Sequence, residues 1–272
     1  MLVPLTTDQI MTSRKTSPTL SCSLSPSLAI SDLRVSMRHF LWFTYSLPCF
    51  ALFSCVGLSL LKDFERSTRT HCNVFNFLPS VSASIGDCEP QRYIWRLCFA
   101  LDSIPRYIIG YLQLLRVLRR PNVAFAELYT LAQITNSTIH FVELSCLLLL
   151  TYVSSSEIKW AHESAFIGFM ICSLLHMIFN VLIDYFWPRT TTNRLTVQER
   201  LLRSQRLQWF ALNIFSFLIS LYFYFRHNSF CEAHMYSMYC LFEYFVVLTN
   251  IAYHSVIMNE WDLTTGQIQF IY

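Results

Sequence analysis

The stretch that decides the fold is residues 207–258, LQWFALNIFSFLISLYFYFRHNSFCEAHMYSMYCLFEYFVVLTNIAYHSVIM. It contains two apolar runs, 207–225 and 235–258, separated by the short polar segment 226–234. Each run reaches the roughly 20 residues that a helix needs to cross about 30 Å of hydrocarbon. We therefore predict two membrane-spanning helices joined by a short hairpin.

The second of these runs carries polar residues where lipid should exclude them. Glu243, Asn250 and His254 are spaced by seven and four residues, which places them on one stripe of a helix. Because a charge at mid-bilayer costs roughly 2.5–3.5 kcal/mol, an intramembrane glutamate is a candidate functional residue. The alternative is that the stripe only forms hydrogen bonds between helices, and both interpretations stay open.

The composition of the whole chain agrees with a membrane protein. Of 272 residues, 54% are hydrophobic and 14% are charged, which is too apolar for a typical soluble domain. Only 5 glycines argue against a β-barrel, whose strands need frequent turns. Four further apolar runs lie at 40–61, 92–115, 125–153 and 164–186. We predict an all-α, polytopic membrane protein with a six-transmembrane-helix bundle at 40–258, a disordered cytosolic tail at 1–39 and a cytosolic tail at 259–272.

Arginine and lysine residues predict the orientation. They are concentrated in 1–39, 116–124 and 187–206, which the positive-inside rule places in the cytosol. The loops 62–91, 154–163 and 226–234 then face the lumen. The net charge of +3 is small and gives no case for nucleic-acid binding.

Histidine and carboxylate side chains in these loops form the first candidate group. Each predicted luminal loop holds a histidine, and the candidates are His71, His162 and His227. Glu163 and Glu232 are close by in sequence. Since histidine titrates near neutral pH and a carboxylate can orient it, these residues suit acid/base chemistry. The alternative is a set of solvated loop residues.

No general motif names a reaction. A P-loop, a Rossmann fingerprint, H-E-x-x-H and G-x-S-x-G are all missing from the sequence. The ten cysteines contain no C-x-x-C pair, and no His/Cys cluster has zinc spacing. We therefore predict neither a metal site nor a cofactor.

Several unusual phrases nevertheless resemble a known family. They are THCNVFNFLPSVSASIG (70–86), PQRYIWRLC (90–98), LTYVSSSE (150–157), HESAFIGF (162–169), FRHNSFCEA (225–233) and LFEYFVVLTNIAYH (241–254). In this order and spacing they resemble the Frag/DRAM/Sfk family of multispanning membrane proteins. A member of that family is implicated in the lipid remodelling of GPI anchors in the Golgi, where a lyso-GPI intermediate regains a saturated acyl chain. Asp102 departs from the family phrase, which has histidine there.

The resemblance implies a protein of the Golgi membrane, and of the endoplasmic reticulum, whose partners are membrane lipids and GPI-anchored proteins. In an acyl-remodelling protein, His162 or His227 would act as the base, and Glu243 and Glu143 would polarise groups deeper in the bundle. The candidate substrate-binding residues are Arg92, Arg96, Arg226, Asn228, Asn250, His254 and His176, with Arg226 or Arg92 on the anchor phosphate. The acyl donor stays open.

A competing hypothesis is a non-catalytic lipid-binding or escort protein that assists a partner acyltransferase. By looser analogy, a scramblase-like or sterol-handling protein is a third. The matched phrases also hold Cys72 and Cys231 in two luminal loops of an oxidising compartment, and we predict a disulfide between them.

Overall fold

The computed structural model describes residues 37–119, 125–187 and 197–262, and every regular element in these ranges is an α-helix. In chain order the helices are α1 (Met37–Lys62), α2 (Phe64–Thr68), α3 (Val81–Gly86), α4 (Gln91–Leu118), α5 (Ala126–Tyr152), α6 (Lys159–Phe186), α7 (Val197–Phe230) and α8 (Met235–Asp262). The all-α prediction is confirmed. Six of the eight helices are long, and they coincide with the six predicted apolar runs.

Five of the long helices, α1, α5, α6, α7 and α8, are long and apolar enough to cross a membrane. The multi-pass prediction is therefore confirmed, whereas the count of six spans holds only approximately. The exception is α4, which contains Asp102 and Arg106 at mid-length. These two side chains are buried and form an ion pair with 3.5 Å between Arg106 Nη1 and Asp102 Oδ2, so they offset each other's charge inside the bundle.

The helices α6 and α7 begin five and ten residues earlier than predicted. Residues 197–206, assigned to a loop, form the first turns of α7, because they contain no proline or glycine and place arginines at three-residue spacing. Arg206 at the end of this stretch pairs with Asp184 of α6, with 2.6 Å between nitrogen and oxygen. Likewise, α6 begins at Lys159 rather than at residue 164.

Most of the predicted tails lie outside the described residues. Residues 37–39 of the predicted N-terminal tail open α1, and α8 continues to Asp262, beyond the predicted boundary at 258. The remaining tail residues, 1–36 and 263–272, are among those that the structure does not describe.

The long helices contact one another in a closed order. Contacts join α1 to α4, α4 to α5, α5 to α6, α6 to α7, α7 to α8 and α8 to α1. Large apolar side chains remain exposed on the outside, including Trp42, Leu61 and Tyr185. Since lipid solvates such side chains, this surface suits a bilayer.

The three loops predicted to share one side of the membrane lie at the same end of the bundle. The loop 62–91 is folded and contains α2 and α3. Its Cys72 is joined by a disulfide to Cys231, the pair named from the sequence, with 5.3 Å between their Cα atoms. Its Asp87 accepts a hydrogen bond from Ser156 of the middle loop at 2.5 Å. Cys88 nearby is a buried free thiol, and burial raises its pKa.

Candidate functional site

A cavity of about 500 Å³ lies between the helices beneath this loop end. Its volume falls within the roughly 300–1,000 Å³ that is usual for ligand cavities. Most of the lining is apolar, with Leu147, Phe169 and Val246 among the contributors. The polar lining residues include Ser82, His162, Glu243 and Asn250. Such a cavity suits a fatty-acyl chain with a reacting polar end.

Ser82 and His162 form a hydrogen-bonded pair at the edge of this cavity. His162 is 7% exposed, and its Nδ1 lies 2.7 Å from the backbone oxygen of Val153. Because a carbonyl oxygen only accepts, Nδ1 carries the proton of the neutral ring, and Nε2 presents a lone pair. Ser82 Oγ lies 3.0 Å from that Nε2, so its hydroxyl donates to the imidazole. A hydroxyl held against an oriented imidazole is the arrangement of an activated nucleophile.

Contacts from within the loop and from α8 hold Ser82 in place. Ser80 caps α3 by accepting a hydrogen bond from the Ala83 backbone N–H at 3.1 Å. The neighbouring backbone N–H of Val81 donates to Glu243 Oε2 at 3.0 Å. The hydroxyl of Tyr244 donates to the backbone oxygen of Pro79. Glu243 therefore lines the cavity and also anchors the short helix that carries Ser82.

A smaller cavity adjoins the pair and is lined by Arg92 and Arg96 together with Ser82 and His162. The Arg92 Nε donates to the backbone oxygen of Gly86 at 2.7 Å. The Arg96 Nη2 donates to the backbone oxygen of Tyr152 at 2.9 Å. The buried Nε of Arg96 has no hydrogen-bond partner among the residues described. Arg92 also pairs with Asp87 at 3.1 Å and Arg96 with Glu157 at 3.7 Å, so a phosphate or a developing oxyanion would compete with these carboxylates for the two guanidinium groups.

The structure thus unites five of the predicted site residues. His162, Glu243 and Asn250 share the large cavity, and Arg92 and Arg96 share the smaller one. The amide of Asn250 donates to Ser173 Oγ at 2.6 Å, so this residue also links α8 to α6.

The predicted residues of the α7–α8 hairpin lie elsewhere and do not line either cavity. His227 packs against His71, with 5.5 Å between ring centroids, rather than joining His162. Asn228 is exposed. Arg226 donates to both carboxylate oxygens of Glu232, at 2.9 and 2.7 Å, and these bonds lower the pKa of Glu232. The hairpin residues therefore form their own ion pair and aromatic contacts at the loop end.

Glu143, His176 and His254 form a second group, which His140 completes. Glu143 is fully buried, and its two oxygens lie 3.1 Å from His140 Nδ1 and 3.2 Å from His254 Nε2. His176 stacks on His140 with 4.5 Å between ring centroids. The predicted stripe on α8 is therefore divided, since Glu243 and Asn250 line the large cavity whereas His254 lines a small separate one.

Sequence reasoning missed Ser82 and left His140 out of the candidate site. Ser82 is one serine in a serine-rich loop, and its partner lies 80 residues away, so no local pattern marks it. The spacing of three between His140 and Glu143 is a local signal, but the other two histidines come from different helices.

Comparisons with known proteins agree with this architecture. Residues 36–264 match the family described as Frag1/DRAM/Sfk1/Cwh43P N-terminal domain. The chain is 39% identical over 220 residues to "Acyltransferase PGAP2" of Xenopus tropicalis, covering 80% of this chain and 83% of the relative. It is 35% identical over 234 residues to "Post-GPI attachment to proteins factor 2" of Caenorhabditis elegans, covering 84% and 87%. The Drosophila melanogaster protein of that name is 38% identical over 223 residues, covering 80% and 82%. No solved structure gives a significant match.

Proposed function

The chain belongs to the Frag1/DRAM/Sfk1 family, and from that membership we propose that it acts in the lipid remodelling of GPI anchors by transferring a fatty-acyl chain to a lyso-GPI. The names of its relatives, which refer to acyl transfer and to a step after GPI attachment, support this role. The proposed location is the Golgi membrane, and also the endoplasmic reticulum membrane. Immunofluorescence of the tagged full chain tests the location.

The observation that carries the proposal is the position of the Ser82–His162 pair between two different cavities. The large apolar cavity accommodates the acyl chain. The smaller cavity, of about 10 Å³, has room for one water molecule, so the lipid phosphate lies outside it, where Arg92 and Arg96 exchange their carboxylate partners Asp87 and Glu157 for the phosphate. An ester placed across the two cavities would lie against Ser82 Oγ. This division matches the chemistry of a lipid that has an apolar tail next to a charged head.

The proposed reaction proceeds in two acyl transfers. Ser82 Oγ attacks the carbonyl carbon of an acyl ester or thioester while His162 Nε2 takes its proton, and the donor leaves with that proton. The free hydroxyl of the lyso-GPI, deprotonated by His162, then attacks the acyl-serine. Ser82 regains its proton as the new ester forms, so atoms and charges balance.

Reconstitution of the purified full chain in liposomes tests this proposal. Lyso-GPI is supplied with either a phospholipid or an acyl-CoA donor, and mass spectrometry follows the reacylated anchor. We expect Ser82→Ala and His162→Ala each to lower the rate by about 100-fold or more, since positioned proton transfer alone contributes about 10²–10⁴-fold. The matched control is Ser84→Ala, because this buried hydroxyl lies on the same helix and, within the described part of the chain, donates to the Ser80 backbone oxygen alone, at 2.9 Å.

The outcomes separate catalysis from its alternatives. An escort that presents lipid to a partner acyltransferase would be favoured by two results together. The wild-type protein would be inactive with both donors, and the Ser82→Ala and His162→Ala variants would still restore GPI-anchored proteins in deficient cells. An active Ser82→Ala protein beside an inactive His162→Ala protein would show that His162 deprotonates the lipid hydroxyl directly.

A further inference from the structure

Three helices bring three imidazole rings together inside the bundle, away from the Ser82–His162 pair. His140 comes from α5, His176 from α6 and His254 from α8. One nitrogen of each ring lies within 4.8 Å of one nitrogen of each of the other two rings. The ring centroids are 4.5, 5.2 and 5.5 Å apart. His176 and His254 are buried, and the His140 side chain is only 12% exposed.

Each of these rings is oriented by an oxygen acceptor. His140 Nδ1 and His254 Nε2 donate to the two oxygens of Glu143, at 3.1 and 3.2 Å. His176 Nδ1 donates to the backbone oxygen of Asn136 at 3.4 Å. Every ring therefore donates one N–H to an oxygen. The other nitrogen of the ring carries no proton and offers its lone pair. Histidines that bind a metal are oriented in the same way, by a carboxylate or a carbonyl on the far nitrogen.

The space beside the rings suits a small ion. All three histidines line a cavity of about 30 Å³, which is more than the roughly 10–15 Å³ required by one water molecule. Zinc–nitrogen bonds of about 2.0–2.1 Å in a tetrahedron separate the nitrogens by about 3.3 Å. Nitrogens that now lie up to 4.8 Å apart would have to approach one another by roughly 1.5 Å at most to bind one zinc ion. Rotation of the imidazole rings can supply this movement. The amide of Asn180 donates to His176 Nε2 at 2.9 Å, and zinc binding would replace this hydrogen bond.

The charges around the cavity also favour a cation. Glu143 is fully buried, and a buried carboxylate is costly without a positive partner. Arg106 and Arg206 line the same cavity, but each already pairs with a carboxylate, at 3.5 and 2.6 Å respectively. A divalent ion would supply the positive charge that Glu143 lacks.

We infer that His140, His176 and His254 bind a zinc ion, with Glu143 orienting two of the ligands. Three imidazoles suit zinc, and three protein ligands leave the fourth position open to the cavity for water or another oxygen. This site shares no residue with the Ser82–His162 pair and does not rest on acyl transfer. The sequence alone could not suggest it, because its ligands are far apart in the chain.

Metal analysis of the purified full chain tests the inference. The protein carries a tag without histidine and is prepared in detergent without chelators, and its zinc is measured by mass spectrometry. We expect about one zinc per chain, because one tetrahedral site is proposed. His140→Ala, His176→Ala and His254→Ala should each lower this content at least tenfold. His39→Ala, an exposed position on α1, is the matched control and should keep it.

A second variant separates lost ligands from lost folding. In His254→Cys a thiolate replaces an imidazole, and both bind zinc, so the metal content should persist. After exchange with cobalt, this variant should show a thiolate-to-cobalt charge-transfer band that the wild-type protein lacks. Wild-type protein with less than about a tenth of a zinc per chain, even after incubation with zinc and removal of the excess, would overturn the site. Full zinc content in the alanine variants would overturn it equally, and the histidine–glutamate hydrogen bonds would then be structural only.

Discussion

Replacing Glu243 with alanine should displace α3, the short helix that carries Ser82. The Glu243 carboxylate accepts the backbone N–H of Val81 at 3.0 Å, and Val81 is only 8% exposed. The N–H groups at a helix start have no partner within the helix, so α3 depends on such acceptors. Glu243 is therefore a positioning residue for the nucleophile, acting through the backbone.

The hydrogen bond sets the size of the expected effect. A bond to a charged group contributes about 1.5–3 kcal/mol, and a neutral one about 0.5–1.5 kcal/mol. Loss of the acceptor in Glu243→Ala should therefore lower kcat/KM by about 10- to 100-fold, since each 1.4 kcal/mol is tenfold. Glu243→Gln keeps an acceptor of the same shape and should lose only about fivefold. Its fold should be retained, because a buried amide costs less than a carboxylate.

The assay is liposome reacylation, combined with labelling of Ser82 by a serine-reactive fluorophosphonate. The labelling rate should follow the same order, with wild type fastest, Glu243→Gln intermediate and Glu243→Ala slowest. Phe245→Ala is the control, because this side chain on the same helix is 45% exposed on the lipid-facing surface. Equal losses in the glutamine and alanine variants would refute the positioning argument, because only the alanine variant lacks an acceptor. Wild-type activity in both variants would refute it as well.

Three further predictions concern the disulfide, the membrane orientation and the ion pair of the hairpin. Non-reducing peptide mapping should recover Cys72 linked to Cys231. Closing a span of 159 residues contributes up to about 5 kcal/mol in the chain-entropy model, so Cys72→Ser should lower the unfolding midpoint in detergent by about 10 °C. A tag at Tyr272 should be digested by external protease in sealed microsomes, and a protected tag would contradict the orientation predicted from the arginines. The Arg226–Glu232 pair lowers the pKa of Glu232, so its stabilisation of the hairpin is complete above the ordinary glutamate pKa of about 4.3 and is lost as the pH falls through the folded value. Amide protection factors in the hairpin, which correct for the intrinsic pH dependence of exchange, should fall in acid in the wild type and change less in Glu232→Gln.

Much of the fold follows from local properties of the chain. An apolar run of about 20 residues must form a helix in a bilayer, because only a helix satisfies its backbone hydrogen bonds within the segment. The six long helices were therefore predictable, and their predicted bounds differ from the observed ones mainly where charged turns extend α6 and α7. The neutral pairing of Asp102 with Arg106 was also predictable, since four residues separate neighbours on one helix face.

Tertiary structure alone decided which polar groups meet. Glu243 and His254 share a face of α8, but eleven residues of helix separate them by about 16 Å along the axis, so one stripe reaches two cavities. His254 consequently joins histidines of α5 and α6, while Glu243 binds a loop that precedes α4. Ser82 acquires its partner only when that loop folds over the start of α6. Periodicity along a chain records which face a residue occupies, whereas the contacts made by that face depend on how separate helices pack around it.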